Sequence, residues 1–443
     1  MKINSEKLFP VRSRIIILLI CLMMFPLLSS TGVISSARGE DGKFDKYGGW
    51  KEIKSKGTGF FRVEQIEGKW WFITPEGHGF ISKGVNSFGY PKGEVRKGLG
   101  MLEDFGLNTV GAWAKIPGQQ DELRQAGIPY VILLDLLRSY AISEGYDIKD
   151  GLPDIYSEEF VRATQNRLDE MQEKFKGKKG LSFADDPYLI GWWPDNELRW
   201  ASERNHILDN YMRLRPSDSG RKAAESFLRE KFGSPVLPRS GRQLEQARDG
   251  FLEIAVRHYA SMTTKAIRSY DKNHLILGSR LYFTPLAWKN TMPERMGGFE
   301  AVARGAKGYW DVISINCYFD ETPLERVRKL HASFDGPILI SEFNIGMTDK
   351  SQGKRGEEEW EARTRISAGG YQKQIPLLLA EPYVIGYHFF PFMNHREPQE
   401  HSMRPGLVNF KYQPREMLLK TFRRVNEKLE LLHKGDIREI REE

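Results

Sequence analysis

Two stretches decide how this chain reads: Leu189-Ile190-Gly191-Trp192-Trp193-Pro194-Asp195-Asn196-Glu197 and Ile338-Leu339-Ile340-Ser341-Glu342-Phe343. Each begins as an apolar run with no polar alternation, which suits a strand buried on both faces, as in a parallel sheet. Each then reaches a glutamate. A carboxylate at the end of such a strand is costly unless it is paired or used. Parallel barrels place their working groups at the C-terminal ends of the strands.

Working outward, the same pattern recurs. Strand-like runs fall at 80–86, 109–113, 130–136, 189–197, 274–280, 312–318, 338–343 and 384–390. Helix-prone stretches lie between them, at 158–175, from Phe251 onward, and at 323–334, 357–380 and 412–433. Alternating strands and helices predict an α/β fold, here a (β/α)8 TIM barrel. A doubly wound open sheet is the alternative. It is disfavoured because no glycine-rich nucleotide loop follows the first strand. A β-hairpin is predicted ahead of the barrel, with Phe60 to Ile66 and Trp70 to Thr74 flanking a Glu67-Gly68-Lys69 turn. An inserted helical segment at 199–248 follows the fourth strand and carries 11 Lys/Arg against 6 Asp/Glu. A solvated helical surface accounts for that charge; a basic lid over an acidic substrate is the alternative.

The N-terminus reads as an export signal. Lys2, Lys7, Arg12 and Arg14 precede an apolar run from Ile15 to Leu28, and small residues end at Ser35-Ser36-Ala37. Cleavage after residues 1–37 predicts a secreted or periplasmic protein with no stable membrane span, followed by a flexible lead-in at 38–57 and a single catalytic domain over 58–443. The signal holds four positive charges and one negative, so its loss lowers the formal charge from +7 to +4. A nucleic-acid partner argued from charge alone loses its footing, and no nucleic-acid motif is present. Cys317 would be the one remaining cysteine, too few for an internal disulfide. No spacing suggests a metal site, and no cofactor is expected.

Two glutamates meet the minimum for cleaving a glycosidic bond. One donates a proton to the leaving oxygen, and the other attacks or stabilises the anomeric carbon. Strands four and seven stand across a barrel from each other, so Glu197 and Glu342 would face over its mouth. Asn86, Trp113, Arg280, Asn316 and His388 also fall at strand ends and are candidates to line sugar subsites. For each, a packed barrel residue is the competing reading. Trp193 and Trp200 either stack on sugar rings or fill the core. His78, after the hairpin turn, is a weaker candidate for the mouth.

Asn196-Glu197 with a lone Glu342 three strands later resembles clan A of the glycoside hydrolases, retaining enzymes on (β/α)8 barrels. The similarity points to the agarase-like family 50. It is carried by Phe60 to Asn86, Gly191 to Trp200, Asn273 to Arg280, Asp311 to Asn316, Ile340 to Phe343 and Gly406 to Val408. The resemblance implies Glu197 as acid/base, Glu342 as nucleophile, Asn196 as a hydrogen-bond partner of the 2-hydroxyl of the bound sugar, and Tyr318 as a hydrogen-bond partner of Glu342. Strand eight of such enzymes often carries a tryptophan platform, and Phe389 occupies the matching place. The implied partner is a polysaccharide or oligosaccharide such as a galactan, anionic if the basic insertion covers it. A β-galactosidase, β-mannanase or β-glucanase would share the chemistry. A non-catalytic carbohydrate-binding barrel is the reading from another class, disfavoured because both glutamates are present.

Overall fold

The computed structural model describes residues 42–91, 93–146, 151–174, 182–200, 206–283, 298–319, 321–345, 357–397 and 402–440. The expected export signal at 1–37 lies outside them. The chain enters through β1 (Trp50–Lys54), β2 (Arg62–Ile66), β3 (Lys69–Ile73) and β4 (His78–Phe80). These form an antiparallel sheet in the order β1-β4-β3-β2. The β2–β3 turn is Glu67-Gly68 with φ of 52° and 78°, the left-handed pair that a two-residue hairpin needs. The expected flexible lead-in is corrected here. Within it Trp50–Lys54 form β1 of this sheet, and Tyr47, Trp50 and Ile53 are buried.

The barrel begins with β5 (Ser82–Val85), α1 (Val95–Asp104), β6 (Thr109–Val110), α2 (Gln120–Gln125) and β7 (Tyr130–Leu133). It continues with α3 (Leu136–Ser143), α4 (Glu158–Lys174) and β8 (Leu189–Trp193). The insertion supplies α5 (Ile207–Tyr211) and α6 (Ser219–Phe232). Its last part is the start of α7 (Gly241–Tyr270), a 30-residue helix that begins well before Phe251. Then follow β9 (Leu275–Ile276), β10 (Leu281–Phe283), α8 (Gly298–Ala306), β11 (Ile313–Cys317), α9 (Leu324–Phe334) and β12 (Ile338–Phe343). The chain closes with α10 (Glu357–Leu379), β13 (Val384–Phe389), the β14 (His395–Glu397) and β15 (Ser402–Arg404) hairpin, α11 (Glu416–Asn426) and α12 (Leu429–Lys434).

Neighbouring barrel strands are parallel, in the order β10-β11-β12-β13-β5-β6-β7-β8-β9. The two ends of that order are pieces of one strand. Leu275 and Ile276 pair with β8, while Leu281 to Phe283 pair with β11. The Ile276 carbonyl also accepts from the N–H groups of Asp311 and Val312, so the sheet closes on itself. The single strand expected at 274–280 is thus split. Gly278 causes the split: its φ is +74°, and a Cβ there would stand 2.7 Å from the Trp310 ring. The kink leaves Ser279 and Arg280 outside the ladder, at the level of the mouth.

The barrel strands separate two apolar layers. Ile338, Ile340 and Phe343 of β12 join the outer cluster under the helices, while Leu339 joins the inner one. Tyr47, Phe61, Phe72 and Phe80 pack into that inner cluster with Val131, Ile190 and Ile385. The N-terminal sheet therefore plugs the end of the barrel opposite the mouth. Both faces of each strand are covered, which is why the runs read as apolar throughout.

Candidate active site

Two local departures from regular strand bring the glutamates into the mouth. In β12 the register against β11 slips between the Ile315–Ile340 and Asn316–Glu342 pairs. Ser341 is the extra residue. Its hydroxyl donates to Asn316 Oδ1 at 2.8 Å, so Ser341 and Glu342 both face inward despite being consecutive. A β-bulge of this kind re-aims a side chain without ending the strand. Glu197 arrives differently. It has φ of +52°, and its N–H donates to the Arg280 carbonyl at 3.1 Å. Ser87, Trp113 and Asp135, just beyond β5, β6 and β7, are likewise left-handed, at φ of 58°, 56° and 55°. Each costs about 1–2 kcal/mol for a residue with a Cβ. Such strain gathers where side chains must be turned into a site.

Asn316 lies between the two carboxylates. Its Nδ2 is 2.8 Å from Glu197 Oε1, 3.2 Å from Glu342 Oε2 and 3.2 Å from Asn196 Oδ1. Arg280 is fully buried and donates to Glu342 Oε2 at 2.8 Å, Asn196 Oδ1 at 2.8 Å and the Ser341 carbonyl at 2.9 Å. Its guanidinium is sandwiched between the Trp113 ring at 4.5 Å and the Trp193 ring at 4.8 Å. The Tyr318 hydroxyl donates to Glu342 Oε1. Every one of these partners of Glu342 is a donor. Glu197 differs: burial, and then the charge of Glu342, push its carboxyl up from 4.5 to about 7. Burial, with Glu342 beside it, also raises the Tyr318 hydroxyl well above 10, so it stays a donor.

The other sequence candidates fall at different depths. Trp113 stands at the rim, 44% exposed, with its ring edge-on to Phe390 at 5.6 Å. Trp193 is fully buried below the glutamates, donating to Ser314 Oγ at 2.9 Å with its ring 5.5 Å from His388. His388 is also fully buried, 2.9 Å from Ser82 Oγ, and desolvation depresses its imidazole to about 3. Both form the floor beneath the pair. Asn86 has both ends occupied, donating to the Ser341 carbonyl and accepting from the Ala112 N–H. It ties β5 to β12. Phe389 faces the outer layer, 5.1 Å from the Phe422 ring of α11. Strand alternation explains the correction: His388 points in, Phe389 points out, and Phe390 is the aromatic at the mouth. Trp200 packs under the helices against Tyr259.

The sequence reading missed Ser341, Phe390 and Arg404. The β14–β15 hairpin brings the Arg404 guanidinium to 5.4 Å from the Tyr318 ring and 5.2 Å from the Phe390 ring. Nothing in the local sequence announces that hairpin. His78 lies at the closed end, with Nδ1 2.8 Å from Asp45 Oδ2. Asp45, Glu76 and His78 are the one group among the described residues with metal-ligand geometry. The Asp45 carboxylate there already accepts from Thr74, His78 and the N–H groups of Tyr47 and Gly49, as a structural hub would.

No family model matches the chain. Among curated proteins it is 24% identical, over 79% of its length, to beta-agarase B of Vibrio sp. (strain JT0107). Among solved structures, BpGH50 superposes with a TM-score of 0.70 at 21% identity, covering 89% of this chain and 87% of that one. An exo-beta-agarase superposes at 0.69 and 18% identity, covering 88% and 68%. The chain resembles the family 50 agarases. The family 50 likeness runs through most of the barrel, and it bears out the (β/α)8 fold. The match covers 45% of beta-agarase B, so the chain spans about half the length of that relative.

Proposed function

We propose that this chain is a retaining glycoside hydrolase that cleaves β-linkages in a galactan-type polysaccharide. The observation that carries the reading is the single Asn316 nitrogen shared by Glu197 and Glu342. Two oxygens held at 2.8 and 3.2 Å from one nitrogen stand at most about 6 Å apart, a limit that admits the ~5–5.5 Å of a retaining pair. An inverting pair needs ~6.5–9.5 Å to admit a water.

The roles follow from the surroundings. Glu197, pushed up to about 7, keeps its proton near neutrality and donates it to the leaving oxygen. Glu342, met by donors only, attacks the anomeric carbon. Once it is bonded to the sugar its charge is gone, so Glu197, ionised by the proton it has given up, stays a carboxylate and takes a proton from the attacking water. Asn196 Oδ1 must face Arg280, because a guanidinium can only donate. That orientation leaves the amide NH2 to meet the sugar 2-hydroxyl. Trp113 supplies an exposed ring for stacking on a sugar face.

Part of the basic charge of the insertion is spent within it. Arg215 pairs with Asp218, Arg221 with Glu225, and Arg248 with Asp209, so these charges are met locally. We assign residues 1–37 as an export signal, which would bring the enzyme to an extracellular or periplasmic glycan. Among the described residues no helix is long and apolar enough to cross a membrane. The test is a screen of galactans, mannans and glucans, with product sizes resolved and the product anomer followed by NMR. Release of the β-anomer from a galactan supports the reading. Immediate release of the α-anomer would refute retention, and preference for a mannan or glucan would refute the galactan assignment.

A further inference from the structure

Directly behind the two glutamates lies a buried hydrogen-bonded cluster. Asp195, the residue before Asn196-Glu197, is fully buried. Its Oδ2 accepts from the Leu137 N–H at 2.9 Å and the Tyr259 hydroxyl at 2.5 Å, and its Oδ1 accepts from the Arg138 N–H at 3.0 Å. Two of these donors are free N–H groups in the first turn of α3, which a carboxylate satisfies well. The Tyr259 hydroxyl is also 3.1 Å from Ser279 Oγ. Its one proton goes to Asp195, so Ser279 is the donor in that second bond.

Ser279 precedes Arg280. The segments 195–197 and 279–280 are thus joined three times. Tyr259 bridges Asp195 and Ser279, the Glu197 N–H meets the Arg280 carbonyl, and the Arg280 guanidinium meets Asn196. One segment carries the first glutamate. The other carries the cation paired with the second. The left-handed backbone at Glu197 is held by this frame rather than by regular strand, since β8 ends at Trp193.

We propose that the Tyr259 hydroxyl is a positioning group: by tying Asp195 to Ser279 it fixes Glu197 relative to Arg280 and Glu342. The consequence for catalysis rests on the double-displacement reading above. The ring of Tyr259 has separate support, edge-on to Trp200 at 5.2 Å and parallel to Phe160 at 6.3 Å. Tyr259→Phe therefore removes the tie and keeps the packing. A misplaced acid slows the chemical step far more than it weakens ground-state binding, and misplacement by about 1 Å costs on the order of a hundred-fold.

The experiment compares wild type, Tyr259→Phe and Ser279→Ala on the glycan that the wild type cleaves, with melting temperature measured alongside. The expected result for Tyr259→Phe is a kcat lower by about ten- to a hundred-fold, with KM within about two-fold and the fold retained. Ser279→Ala, which removes one arm of the tie, gives a smaller loss of the same kind. A kcat within about two-fold of wild type, or a loss carried by KM, overturns the proposal. A crystal structure of Tyr259→Phe decides it independently of turnover. Displacement of Glu197 from its 2.8 Å contact with Asn316 supports the tie, and an unmoved Glu197 overturns it even if no glycan is cleaved.

Discussion

Glu197 and Glu342 come from opposite sides of the barrel and meet at one amide nitrogen, Asn316 Nδ2, at 2.8 and 3.2 Å. Neither glutamate holds that position by regular strand geometry. One is turned inward by a bulge at Ser341, the other by a left-handed residue beyond β8.

Glu342→Gln keeps the shape of the site and removes the oxygen proposed to attack the anomeric carbon. Turnover should fall by at least about a thousand-fold, while oligosaccharide binding measured by calorimetry stays near wild type. Turnover within about ten-fold of wild type would remove Glu342 from the nucleophile's role.

The Glu197 carboxyl is raised from 4.5 to about 7, so the folded protein binds a proton there more tightly than the unfolded chain. The stability it contributes is complete below pH 4.5 and is lost as pH rises through about 7. Glu197→Gln cannot lose that contribution. Its melting temperature should therefore gain on wild type between pH 5 and pH 8. In wild type the basic limb of kcat/KM should fall near pH 7, where the acid loses its proton. A pH-independent difference in melting temperature would contradict the shift.

Arg280 and Glu342 form a buried ion pair at 2.8 Å, with side chains 0% and 5% exposed. Arg280→Ala leaves the carboxylate without its cation, which costs about 3–5 kcal/mol for buried pairs. Chemical denaturation should register that loss together with a fall in kcat. Arg280→Lys restores the charge but cannot reach Asn196, the Ser341 carbonyl and Glu342 together, so activity should stay low. Full activity in the lysine variant would show that charge alone suffices.

Trp113 and Phe389 should separate binding from folding. Trp113→Ala removes an exposed ring at the rim, and KM should rise about three- to ten-fold, as a stacking contact of about 0.5–1.5 kcal/mol implies. Phe389→Ala opens a cavity against Phe422 in the outer layer and should cost about 3–5 kcal/mol of stability with KM nearly unchanged. The opposite pattern would return Phe389 to the sugar site.

Much of the architecture was legible in the sequence because its cause is local. Apolar runs without alternation marked strands covered on both faces, and Glu67-Gly68 marked the hairpin. Helix limits came close where amphipathic spacing was clear: α4 at Glu158–Lys174 and α9 at Leu324–Phe334 match their predicted ranges within a residue at each end. The predicted helix over 412–433 is two, broken at Glu427 and Lys428, because helix-prone residues continue through the break. The strand at 274–280 failed for a non-local reason. Gly278 turns left-handed to clear Trp310, a residue distant in sequence.

In the site, the sequence named Glu197, Glu342, Asn196, Asn316, Arg280, Tyr318 and Trp113, and the structure brings these together. It could not give them depth. Asn86, Trp193 and His388 are strand-end residues by position, yet they sit below the pair with their polar atoms largely spent on the barrel wall. Arg404 and Phe390 reach the mouth through a hairpin and a strand end that carry no local signal.

By itself the sequence determined the barrel and its two acidic strand ends, because burial on both faces and charge at a strand terminus are written in consecutive residues. Only the tertiary structure decided which neighbours face inward. A one-residue bulge at Ser341, a kink at Gly278 and left-handed φ at Glu197 each reverse or redirect a side chain. Those choices are set by what packs on the neighbouring strand, which is distant in sequence.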